Sequence, residues 1–349
     1  MKGVGRLRSF LLPVILSVCI ACTLTLQTDE AALYKETKTE APAAVSDRNT
    51  LRITFVGDCM LASDHGTANE GSFNRMAQEQ PPEYFLQDFS QLFHEDDFTV
   101  VNCECVLSDR EDLQEKAPSG PRSFWFKGPA SNAEIFRAAD VQFASVVNNH
   151  SHDFGQQGSD DTEAALEAVG VLPGRRDVVT YATVKGQKLG VYCDELVSED
   201  GVNDVLEKVR EMQQADCDLI ILYFHSGIEY ATAPEVWIVR AFHTLIDAGV
   251  DIIVSSHPHV LQPMEVYNGK PILYSLGNFC FGGNLHPPKD TVVYQAVYQL
   301  KKGKIGERED VLIPSATHEG DVNDYRPRIV TDEEKRMEIL RFMQTPITQ

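Results

Sequence analysis

Five apolar runs in this chain end abruptly in side chains that bind cations or move protons. LRITFVG (51–57) runs into Asp58, and FTVV (98–101) into Asn102 and Glu104. VQFASVV (141–147) precedes Asn148, Asn149, His150 and Asp153, LIILYF (219–224) precedes His225 and Glu229, and VDIIVS (250–255) precedes His257 and His259. Short apolar runs bounded by turn residues read as buried strands, and in open α/β sheets ligands bind outside the carboxyl ends of the strands. Aligned strands whose C-terminal ends share one site satisfy all of these at once. Amphipathic segments near 130–139, 159–169, 203–215 and 235–248 read as the helices of an α/β fold. A second group reads as antiparallel: 178–185 with 188–193 across Gly186-Gln187, and 263–268 with 271–274 across Asn268-Gly269, a strong hairpin signal. The alternating run 291–300 is assigned to that same antiparallel sheet.

Taken singly, the polar residues say little. Gly57-Asp58 is a common turn, and a histidine ending an apolar strand, such as His225, reads equally as a satisfied core residue. Asn102 and Glu104 lie two apart and face the same way on an extended segment. The density of hydrogen-bonding side chains from Asn148 to Asp153 exceeds what a structural turn needs. His257 and His259, placed on an extended segment, project together as chelation requires. Carboxylate and amide oxygens mixed with imidazoles suit Zn, Mn or Fe, whereas an all-oxygen set suits Mg or Ca. One ion, or two ions ~3.5–4 Å apart sharing a carboxylate, is the expected cofactor.

The 349 residues carry a net charge of −21. That field repels phosphate backbones, and no basic stripe with interleaved aromatics offsets it, so nucleic acid is excluded as a partner. Lys2, Arg6 and Arg8 precede an apolar segment ending near residue 26, which reads as a signal peptide or membrane anchor and predicts an extracytoplasmic protein, anchored or secreted. Residues 27–50 have a linker composition. The folded domain is expected over 51–318, followed by a charged tail, 319–349, with a helix over 332–343. The eight cysteines show no paired spacing, and most of those beyond the apolar segment sit within or beside strand patterns, so they read as free thiols.

The motifs FVGDCML, VNCE, VNNHSHDFG, FHSGIEY and AGVDIIVSSHPHVLQPMEVYNGKPILYSLGNF, spread over about 51–315, resemble the calcineurin-like metallophosphoesterase superfamily. More closely, they resemble its CapA family, linked to poly-γ-glutamate capsule synthesis. The resemblance implies a layered α/β/β/α sandwich of mixed sheets flanked by helices. It implies Asp58 and His259 as ligands of one ion, Asn149, His225 and His257 as ligands of the other, and Glu104 in place of the usual bridging aspartate. His150 matches the histidine that protonates a leaving group. Asn278, in YSLGNF, supports the site, as do Asn102, Asn148, Asp153 and Glu229. Met60 stands where a general phosphoesterase has a ligand histidine, which predicts one well-held ion and one weak or absent one. The implied activity is metal-dependent hydrolysis in capsule synthesis. The alternative is a non-catalytic, polymer-binding component of a membrane-bound synthesis or export complex, with other capsule-synthesis proteins as partners. Either way the partner is an anionic envelope polymer such as poly-γ-glutamate, met by a local positive site: the metal cluster or Arg175-Arg176.

Overall fold

The computed structural model describes residues 48–66, 71–118, 120 and 123–347. The N-terminal apolar segment and the linker up to residue 47 lie outside the described residues. The first sheet runs β17 (Arg328–Ile329), β16 (Lys304–Ala316), β15 (Asp290–Lys301), β1 (Thr50–Met60), β3 (Phe98–Cys103), β6 (Phe143–Ser145) and β7 (Leu172–Gly174), with β14 (Asn278–Phe281) pairing against the end of β1. The second runs β12 (Leu261–Tyr267), β13 (Lys270–Leu276), β11 (Ile252–Ser256), β10 (Leu219–His225), β9 (Gln187–Asp194) and β8 (Thr180–Val184). Both are mixed: β1, β3, β6 and β7 are parallel, as are β13, β11, β10 and β9, while the flanking strands pair antiparallel. A small third sheet joins β2 (Ser63–Asp64), β5 (Phe126–Gly128) and β4 (Val106–Leu107).

Strands buried on both faces require continuous apolar runs, and that is how β10 and β11 read. Helices α1 (Phe73–Glu79), α2 (Glu83–Glu95), α3 (Glu134–Ala138) and α4 (Gly155–Ala168) share a core with the first sheet. Helices α5 (Val202–Gln214) and α6 (Val236–Asp247) share another with the second. Phe242 of α6 stacks on Phe224 of β10 at 5.0 Å and on Tyr274 of β13 at 5.5 Å. Between the sheets, the Tyr223 hydroxyl of β10 donates to the Val56 carbonyl of β1 at 3.0 Å. The layered α/β/β/α sandwich of mixed sheets is therefore present.

Several expectations change. The run near 291–300 pairs with β1, Thr50 opposite Gln299 and Phe55 opposite Tyr294, so it belongs to the first sheet and not to the sheet of the hairpins. The hairpins are not a separate sheet either; they form the two edges of the second one. Only 143–145 of the 141–147 run pairs as strand. Helices α1 and α2 are additions to the sequence reading; in α2, Phe85, Phe89 and Phe93 repeat at helical spacing, Phe89 and Phe93 pack on Phe279 of β14, and Phe85 packs on Phe73 of α1. The strand β16 was also unforeseen. The segment read as a charged tail is bound down: α7 (Glu333–Met343) buries Ile339 and Met343, and Arg326 pairs with Asp88 at 2.7 Å. The described cysteines are free thiols. No helix among the described residues is long and apolar enough to cross a membrane.

Candidate metal centre

Asp58 lies where β1 pairs with both β3 and β14, opposite Asn102 and Asn278. Gly57 permits this by close approach rather than by a turn: a Cβ there would lie 1.8 Å from the Gly277 carbonyl oxygen. The buried Asp58 carboxylate accepts from Asn102 Nδ2 at 2.8 Å and faces His259 Nδ1 at 3.2 Å. Burial raises its pKa, but His259, His225 and Asn102 outweigh that and hold it well below the usual carboxylate range.

Glu104 follows β3 and is wholly buried, and among the described residues neither of its oxygens accepts a hydrogen bond. Burial and the nearby Asp58 push its pKa well up. An unpaired buried carboxylate is costly, so the site favours a cation at this position. His225 Nε2 stands 3.4 Å from Glu104 Oε1, and His259 Nε2 stands 3.7 Å from it.

His225 is buried at the end of β10, with Nε2 2.9 Å from Asn149 Oδ1 and 3.0 Å from His257 Nδ1. One nitrogen cannot donate to all of these groups, whereas a cation serves them together. Its other nitrogen is 3.1 Å from Ser256 Oγ, an outer contact that fixes a ligating ring. Burial holds His225 well below the ordinary histidine pKa and also lowers His257, with His259 adding to the latter effect, so both imidazoles are neutral and able to ligate. Burial opposes a proton on His259, yet Glu104 and Asp58 push its pKa up to about 10. Asn278 Oδ1 lies 2.9 Å from His259 Nδ1, which leaves Nε2 toward Glu104.

The His257-Pro258-His259 segment is not extended as its spacing suggested. It is a bend after β11 in which His257 has φ 100° and His259 has φ 58°, conformations that side chains seldom adopt. The rings still converge, because the bend, and not a strand's alternation, aims them. Ligand atoms of Glu104, His225 and His257 lie within 4.8 Å of one another; so do those of Asp58, Glu104 and His259, and those of Glu229, His257 and His259. Glu104 is common to the first two groups. Buried oxygens without partners, neutral imidazoles and carboxylates together fit a divalent ion.

Other candidates take different places. Asn148 donates to Asn102 Oδ1 at 3.1 Å and to the Cys103 carbonyl at 2.9 Å, clamping the loop after β6 to β3. His150 Nδ1 faces Asp153 Oδ2 at 2.8 Å, and the fully buried Asp153 also pairs with Lys116 Nζ at 2.6 Å. Lys116 further donates to the Asn149 carbonyl at 2.6 Å. It sits in a loop without periodicity, so nothing in the sequence marked it. His152 lies outside the site, exposed beside Gln156. Met60 joins the apolar core and is no ligand. Arg175 pairs with Glu163 and Glu167, and Arg176 with Glu195, so neither is an open positive site for a polyanion. A cavity of about 170 Å³ opens beside His225 and His257, lined also by Glu195, Val197, Glu235 and Trp237.

Residues 52–283 match the family described as Bacterial capsule synthesis protein PGA_cap. The Capsule biosynthesis protein CapA of Bacillus anthracis is 27% identical over 322 residues, covering 85% of this chain and 73% of that protein. The PGA biosynthesis protein CapA of Bacillus subtilis (strain 168) is 25% identical over 292 residues, covering 78% and 73%. Among solved structures, a calcineurin-like phosphoesterase from Bacillus subtilis aligns with a TM-score of 0.44 at 16% identity, over 84% of this chain and 96% of that one. With 52–283 matched, the chain belongs to the PGA_cap family of bacterial capsule synthesis proteins.

Proposed function

We propose that this protein is a metal-dependent hydrolase of the cell envelope that acts on a phosphoester or amide-type bond during synthesis of an anionic capsule polymer such as poly-γ-glutamate. The observation that carries the reading is Glu104, whose two buried carboxylate oxygens accept no hydrogen bond among the described residues and whose Oε1 faces His225 and His259. The donor set suits Zn, Mn or Fe. Such an ion supplies Lewis acidity, making water nucleophilic near neutral pH and offsetting charge on the leaving oxygen.

The chain's own residues do the rest. Asp153 accepts a hydrogen bond from His150 Nδ1–H, which leaves the Nε2–H of the imidazolium to pass its proton to the leaving group and the ring neutral afterwards. Asn149 and His225 orient each other across 2.9 Å. Membrane attachment or export rests on the basic and apolar N-terminal sequence. The capsule polymer and a synthesis complex as partners rest on the printed names of the relatives.

Elemental analysis of purified protein, together with hydrolysis assays on generic phosphodiesters and on γ-glutamyl polymer, tests this. Metal-free protein with no turnover on either substrate overturns it. One observation favours the alternative of a polymer-binding, non-catalytic component: Met60 packs in the core where a further ligand is expected. That reading stands instead if Asp58→Ala and His257→Ala variants still support polymer formation in cells.

A further inference from the structure

The two sides of the centre are unequally furnished. Asn149, His225, His257 and Glu104 gather on one side; on the other, Asp58 and His259 share Glu104 with the first. Met60 offers nothing there, because its side chain belongs to the apolar core and its sulfur lies against Gly283. The loop after β10 carries a carboxylate to His257 and His259, one histidine from each side. Its chain reverses through Gly227 at φ 111° and Tyr230 at φ 63°, and is stitched to the histidine bend by Ser226 N donating to the Ser256 carbonyl at 2.9 Å and Tyr230 N to the Pro258 carbonyl at 2.8 Å. Between those two stitches stands Glu229.

We propose that Glu229 is a ligand of the ion held by Asp58, Glu104 and His259, taking up the coordination that Met60 cannot supply. A Glu229 carboxylate oxygen lies with His257 and His259 ring nitrogens in a group whose atoms are all within 4.8 Å of one another. Among the described residues, no hydrogen bond or ion pair engages that carboxylate. Glu104 supplies the second, independent sign of a ligand here: among the described residues its buried oxygens accept no hydrogen bond, and Oε1 stands 3.7 Å from His259 Nε2. Three carboxylates, Asp58, Glu104 and Glu229, bring enough negative charge to offset most of two divalent ions, so both ions are retained. Glu229 is exposed whereas Asp58, Glu104 and His259 are buried, so it would close that ion's site from the solvent side.

This inference rests on the metal reading above, and the experiment separates the two. Chelator-stripped full-length protein is titrated with Mn²⁺ by calorimetry, and the loaded protein is examined by electron paramagnetic resonance. The wild type is expected to take up two equivalents and give the spectrum of an exchange-coupled pair. Glu229→Gln is expected to keep one equivalent at unchanged affinity and to hold the second tenfold or more weakly, with a mononuclear spectrum. Glu207→Gln, on the exposed side of α5, controls for net charge and is expected to match the wild type. Two full equivalents at unchanged affinity in Glu229→Gln overturn the proposal and leave the metal reading standing. Equal weakening at both sites overturns it too, since that is the signature of a long-range field. A wild type that binds a single ion, untouched by Glu229→Gln, also overturns it. A wild type that takes up no Mn²⁺ overturns both readings. Among the described residues no hydrogen bond or ion pair engages Glu229, so the variant is expected to melt with the wild type when metal-free.

Discussion

Asp153 Oδ2 stands 2.8 Å from His150 Nδ1 and so leaves Nε2 as the ring nitrogen the aspartate does not engage. The aspartate is itself held from two sides, by Lys116 Nζ at 2.6 Å and by the Phe126 backbone N–H at 2.8 Å. Asp153→Asn is therefore expected to lower kcat about tenfold or more on any substrate the protein turns over, with metal content unchanged. His150→Ala is expected to lose about 10²–10⁴-fold, the usual range for a positioned proton donor. Steady-state kinetics paired with elemental analysis decides the matter; parallel loss of metal in Asp153→Asn would mean that the residue builds the ion site rather than steering His150.

Glu104→Gln should move stability and metal affinity in opposite directions. Without metal the wild-type carboxyl group is buried and accepts no hydrogen bond among the described residues, so an uncharged isostere is expected to melt at or above the wild-type temperature. With metal the order reverses. An ion at a hundred times its dissociation constant stabilises the wild type by about 2.7 kcal/mol, and the variant should gain little. Thermal unfolding with and without chelator reads both, and a variant stabilised by metal as strongly as the wild type contradicts the assignment.

Asp96 predicts a pH dependence away from the metal centre. It caps the C-terminal end of α2, where the helix dipole disfavours negative charge. Burial pushes its pKa up to about 7, against partial relief from hydroxyl donors that include Thr99 at 2.6 Å. Because the folded-state pKa lies above the unfolded one, the native protein holds a proton that the unfolded chain has released. Asp96 therefore costs stability progressively as pH rises from about 4 to about 7. Asp96→Asn should flatten that slope and raise the melting temperature by a few degrees at pH 8, with little change at pH 4. An unchanged slope in the variant removes Asp96 as the cause.

Gly57→Ala tests the close approach of β1 and β14. The new methyl would fall 1.8 Å from a backbone oxygen that cannot swing away, so the strands must part. A loss of about 3 kcal/mol or more is expected, at the upper end for overpacking. Metal affinity should fall with it, because Asp58 and Asn278 are brought into register at that contact. Denaturant unfolding and metal titration of the same sample check both; a stable variant with intact metal binding refutes the link.

How much of this was legible in the sequence differs from residue to residue. Asp58, Glu104, Asn149, His225, His257 and His259 could be marked because each follows an apolar run, and such runs report burial through local pattern alone. The hairpin around Asn268-Gly269 was legible for the same reason: its turn chemistry is local. Lys116 and the reach of Glu229 were not legible, because both depend on loops whose paths are set by contacts with distant segments. Helix α2 did carry a readable period in Phe85, Phe89 and Phe93.

The sequence by itself therefore determined which segments are buried, where each ends, and which ligand types wait at those ends, since periodicity and turn residues act over a few positions. Only the tertiary structure decided which ends meet. The His257 backbone N–H lies 3.3 Å from Asp58 Oδ2 across 199 positions of chain, a proximity set by strand order and by the packing of β1 against β11 and β13 of the other sheet, which no local pattern encodes. It also decided how the histidines are aimed: by a left-handed bend held within the packed fold, where strand alternation had offered a simpler and incorrect geometry.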